Sequence, residues 1–243
     1  MKKILNPKIL PWFTMGAGGL GLVLQLWFRS GIDEKGLLPA SHPALPLTYI
    51  LMALVLVVVF LCARQLSPIA KYSRLFPVGI GRAVGCAVAA AGILYAGLCF
   101  LKSGSGLGII TFAVGWLAAA AMAFLAFLRL KGGRPAVALH TLLTVFFMLF
   151  TVCNCRIWGA EPQVQGYIFP LLACVFLMLT GYHNTVLDVQ KGGRTRLVFY
   201  NQAALFFCCL SLAGSYRIFY LAMIVYLALD LCCVSRGRQP EEA

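Results

Sequence analysis

Asp230 stands six residues before Arg236 in a stretch from Arg217 that carries no other charge. A carboxylate in a hydrocarbon-compatible run is expensive, so it needs a partner or a task. Other polar residues keep the same spacing. His140 lies six residues past Arg134, and Asn201 and Gln202 lie five and six past Arg196. Six residues of helix advance about 9 Å, so three apolar runs place polar groups in one layer about 9 Å inside one membrane edge. "TGYHNTVLD" adds His183, Asn184 and Asp188 at or just below that layer. Read as a site, these seven residues form a pocket in the last four helices, with Asp230 as its charge. His140 and His183 are its titratable members, because histidine is the side chain that ordinarily changes charge near neutrality. Such a pocket would bind a small polar or cationic solute or relay a proton. In the competing reading Asp230 snorkels to the interface or pairs with a neighbour such as Arg196, and the histidines and amides only cross-link helices.

The elements that must position these groups follow from charge spacing. Leaving histidine aside, Lys8 to Arg29 encloses 20 residues, Lys35 to Arg64 encloses 28 and Glu161 to Asp188 encloses 26. A hydrocarbon core about 30 Å thick needs about 20 helical residues. Eight such gaps predict an all-α polytopic membrane protein, a single transmembrane domain over 1–243. The spans fall at about 9–29, 46–64, 82–101, 108–129, 135–156, 166–187, 197–214 and 218–235. With the N-terminus inside, 15 of the 20 Lys and Arg residues fall on the cytoplasmic side and five outside. That bias is the one the positive-inside rule expects. Both termini are then cytoplasmic and the chain makes four antiparallel hairpins. The first apolar run is too long for a cleaved signal and reads as an uncleaved span.

The composition, 61% hydrophobic and 11% charged, is far from the ~25% charge of an ordinary soluble domain. The net charge of +13 is spread over several inner segments without interleaved aromatics. It points to topology and anionic headgroups and not to nucleic acid. "KGGR" occurs at 131–134 and again at 191–194, and the following residues align without a gap, which suggests a duplicated hairpin. Gly16, Gly18, Gly19 and Gly21 in the first run read as helix-packing positions, with Ala17 and Gly21 as a small-xxx-small pair. No HExxH, GxSxG or P-loop is present, so no enzyme is predicted. No metal site or cofactor is predicted either. The two cysteines of "CNCR", 153–156, point to opposite sides of a helix. Cys99 is placed to pair with Cys153 or Cys155 if the outside is oxidising.

The longest outer connection, "GIDEKGLLPASHPALP", holds Asp33, Glu34 and His42. The acidic pair is a candidate for recognising something outside the cell, whereas His42, followed by proline, reads as a solvated turn residue. "GIDEKGLLPASHP" resembles the first outer loop of an uncharacterised multi-spanning membrane protein family of clostridia and their relatives. The resemblance covers about a sixth of the chain. It implies a multi-pass cell-membrane protein of a Gram-positive bacterium and brings no activity with it. The functional expectation is a small permease or transporter-like protein whose partners are the lipid bilayer and a small polar substrate. The alternative is a non-catalytic membrane partner or sensor subunit acting through its loops on another protein.

Overall fold

The computed structural model describes residues 9–31, 42–66, 79–102, 105–133, 137–159, 166–189 and 193–236, with side chains to 232. Asp33 and Glu34 lie outside the described residues, so the outer acidic pair has no structural account. The described residues form eight helices: α1 (Leu10–Ser30), α2 (Ala44–Arg64), α3 (Ile80–Lys102), α4 (Gly106–Lys131), α5 (Val137–Trp158), α6 (Ile168–Asp188), α7 (Arg194–Ser211) and α8 (Arg217–Arg236). Five of them, α2 to α6, are long and apolar enough to cross a membrane. The chain is therefore an all-helical membrane protein. Its surface agrees: Trp12, Leu20, Val23, Ile50, Trp116 and Leu117 are more than half exposed. A continuous apolar exterior of this kind is solvated by lipid and not by water.

Two of the others are less apolar for local reasons: α1 spends positions on glycine, and α7 carries Arg, Asn and Gln. α7 is the most enclosed element, with fourteen of its 18 residues buried. Hydropathy measures what a helix shows to lipid, and a helix surrounded by others shows little.

Helix contacts explain that enclosure. α3 packs on α4 and α8, α4 on α5, α5 on α6, α6 on α7 and α7 on α8, closing a ring of six; α1 and α2 lie against α7 from outside. Two close approaches hold the ring and its flank together. A Cβ added at Gly92 would sit 2.5 Å from the Ala222 Cβ, so α3 and α8 touch backbone to backbone there. One added at Gly18 would sit 2.7 Å from the Cys209 Cβ and one at Gly21 2.6 Å from Leu210, which seats α1 on α7. Gly16 and Gly19 have open space around them. Only part of the glycine cluster is therefore a packing surface. Small residues matter here because helices in lipid associate through close packing.

The ring interior is divided. At one end aromatic rings fill it: Phe150 meets Phe219 at 4.7 Å and Phe100 at 5.4 Å between centroids, with Phe146 and Phe147 beside them. Tyr216, in the turn before α8, adopts φ 59° and stacks on Phe100. A left-handed tyrosine costs about 1 kcal/mol or more, a strain that the ring stack offsets. The other end of the interior is polar.

Candidate functional site

The polar end draws its side chains from five helices, α3, α5, α6, α7 and α8. Arg82, two residues into α3, donates from Nε (3.0 Å) and Nη2 (2.5 Å) to Asp230 Oδ1 on α8. Asn201 on α7 donates from Nδ2 to Asp230 Oδ2 at 3.3 Å. Arg82, Asp230 and Asn201 are 3%, 4% and 0% exposed, so this is an interior ion pair and not an interfacial one. Of the two branches of the competing reading, Asp230 does not snorkel; it pairs with a basic neighbour, which is Arg82 and not Arg196. The reason is register. Gly85 and Gly92 let α8 lie so close to α3 that an arginine at the start of α3 reaches the aspartate at the end of α8. Arg129 on α4 lies beside Cys86.

Ring contacts set the levels of the other residues. Phe176 stacks on Phe207 and His183 on Tyr200, at 5.2 and 4.7 Å. Seven residues along α6 thus match seven back along α7, so the two helices run antiparallel in register. Asn201 then stands level with the midpoint of Thr180 and Asn184. Tyr220 of α8 meets Pro170 and Cys174 of α6, so α8 runs parallel to α6 and Asp230 reaches the same level. Asp188 is six residues further along α6, about 9 Å away. There its Oδ2 lies 2.5 Å from His140 Nδ1 on α5, with both side chains 2% exposed. The single layer expected from spacing is therefore two tiers. One is Arg82–Asp230–Asn201 with Thr180 and Asn184 level with it, and the other is His140–Asp188 nearer the helix ends. Asp188 closes α6 with its side chain 2% exposed and turned to His140. Asp188 and Asp230 engage different bases, so no acid dyad forms.

Thr180, Asn184 and Asp188 repeat every four residues and make one stripe of α6. It lies on the wheel between Gly181, which touches Thr144 of α5, and His183, which touches Tyr200 of α7. That arc faces the ring interior. Thr180 Oγ1, Asn184 Nδ2, Asp188 Oδ1 and Asn201 Oδ1 are buried and lack a hydrogen-bond partner among the described residues. Each such orphan costs about 1–3 kcal/mol if nothing meets it. Four of the buried side-chain atoms without a partner among the described residues thus sit on two adjacent helices.

Two expected members turn elsewhere. His183 stacks flat on Tyr200 at the α6–α7 seam, 13° between planes. Gln202 shares a face of α7 with Phe206 and Cys209, at i+4 and i+7, and those two face Gly18 of α1. It is fully buried with neither amide atom hydrogen-bonded among the described residues, on the side of α7 away from the ring interior. Adjacent residues of a helix diverge by 100°, so Asn201 and Gln202 cannot serve one site. Sequence reasoning missed Arg82 and Thr180. Arg82 was counted as one more inner-loop charge, and its nearby Gly85 was the available sign of close packing.

Among the remaining predicted residues, His42 is half-buried. Trp27 and Phe28 meet it edge-on at 5.1 and 5.8 Å, and its Nδ1 accepts the Ala44 N–H at 3.2 Å. It braces the start of α2 instead of standing in solvent. Cys99, Cys153 and Cys155 are free thiols, and Cys153 Sγ lies 2.9 Å from Thr111 Oγ1. Among the described residues no cluster of three His, Cys, Asp or Glu side chains could hold a metal. Comparisons with protein-family models, with curated proteins and with solved structures found no match for this chain.

Proposed function

We propose that this chain is a small cell-membrane permease that admits a polar solute from the cytoplasmic side into the interior of its six-helix ring. The observation that carries this reading is the set of buried, unpartnered polar atoms on Thr180, Asn184, Asp188 and Asn201, gathered beneath an aromatic plug. In this reading all eight helices span the bilayer as four hairpins with both termini cytoplasmic. The 15-to-5 charge bias supports that orientation. The polar tiers then face the cytoplasm and the Phe100–Phe150–Phe219 plug seals the outside. His140–Asp188 forms the inner tier through which a solute passes.

The test is water access. In inside-out vesicles, a small aqueous maleimide should label N184C, read by mass spectrometry of the α6 peptide, because a carrier must open this interior. Absence of labelling under all conditions, together with a protein partner that co-purifies with the chain, would favour the non-catalytic partner reading instead.

A further inference from the structure

The two buried acids are held by different kinds of base. Asp230 takes two nitrogens of Arg82 on one oxygen and Asn201 on the other. A guanidinium does not give up its proton in a protein, so that pair keeps one charge state. Asp188 meets an imidazole instead, with His140 Nδ1 2.5 Å from its Oδ2. Its Oδ1 is buried with no hydrogen-bond partner among the described residues. Imidazole is the side-chain base that ordinarily gains and loses a proton near neutrality. A histidine and a carboxylate facing each other inside a membrane bundle are the groups from which proton relays are built. The pair also stands at two helix ends: Asp188 closes α6 and His140 is the fourth residue of α5.

We infer that His140 and Asp188 form a proton-binding site. Before uptake, neutral imidazole donates its Nδ1–H to the Asp188 carboxylate, and the pair carries one negative charge. Uptake places a proton on Nε2. The ring becomes imidazolium, the carboxylate stays ionised and the pair has no net charge; no other bond forms or breaks. The helices that flank the pair carry Arg129 and Lys131 on α4, His183 on α6, and Arg194 and Arg196 on α7. Arginine and lysine ordinarily keep their charge through the neutral range, and His183 is stacked on Tyr200. His140 is therefore the group at this tier whose charge answers to pH. The inference stands whether or not the ring admits a solute; on the permease reading, a proton held here is the ion available to couple to it.

Nitrogen NMR of the full chain in lipid nanodiscs, labelled at histidine, decides it, since the sequence holds three histidines. His42→Gln and His183→Gln each remove one signal and assign the remaining one to His140. That signal should pass from one protonated ring nitrogen to two as the sample is taken from mildly alkaline to mildly acidic, and return on reversal. Asp188→Asn should move the change by at least about one pH unit toward acid, because the carboxylate that favours the imidazolium is gone. A His140 ring that keeps one protonation state throughout overturns the inference and leaves the pair a fixed cross-link. A transition that Asp188→Asn leaves in place overturns the partnership with Asp188. The wild-type titration decides the proton site even where a variant fails to fold. N184C labelling reads a different residue, so the permease reading stands or falls separately.

Discussion

Asp230 and Arg82 are each buried, so neither tolerates the loss of the other. Asp230→Asn keeps the shape of the side chain but strands a guanidinium in the interior. Removing one partner of a buried pair costs about 3–5 kcal/mol. Thermal unfolding in detergent should therefore show a large destabilisation for Asp230→Asn, and the pair Asp230→Asn with Arg82→Gln should recover much of it. A double-mutant coupling below about 0.5 kcal/mol would mean the two side chains do not act as a pair. At this scale the sequence exposed the acid but not its base. An arginine near a helix start reads as topology, and only the distance to α8 reveals that it points inward.

Between elements, close backbone approach sets the structure. Gly18→Leu forces a side chain into the Cys209 contact and should lower the melting temperature of the chain, an overpacking cost of about 1–3 kcal/mol. Gly16→Ala, two residues away, has open space and should be neutral or slightly stabilising, since alanine is the better helix former. Equal effects from both would remove the α1–α7 seam as described. Composition alone placed both glycines in one packing cluster. Which of them meets a neighbour depends on the rotation of α1 about its axis, and that is a property of the contact. The same rotation separates Asn201 from Gln202: neighbours in sequence, they face different helices.

For the whole molecule, the proposed orientation places the "CNCR" end of α5 outside. Cys155 is exposed and Cys153 is buried against Thr111. A membrane-impermeant maleimide added to intact cells should label the α5 peptide at Cys155 and spare Cys153, and Cys155→Ser should abolish that signal. Labelling of Cys155 only in inside-out vesicles would invert the topology and put the polar tiers on the outer side.

By itself the sequence determined the class of the molecule, because long charge-free runs admit few structures other than helices in a bilayer, where each backbone group must be satisfied within its own segment. It also marked most of the costly polar residues, since charge and amide groups stand out against hydrocarbon. Tertiary structure alone decided which of them meet. Helical register placed Thr180, Asn184, Asn201 and Asp230 at one level, close packing at Gly92 delivered Arg82 to Asp230, and the turn of α7 sent Gln202 toward α1. It also decided that α7 need not be apolar, because its neighbours, and not lipid, surround it. Hydrophobic transfer acts on each segment alone and is therefore written along the chain, whereas pairing depends on azimuth and distance between segments and exists only after they pack.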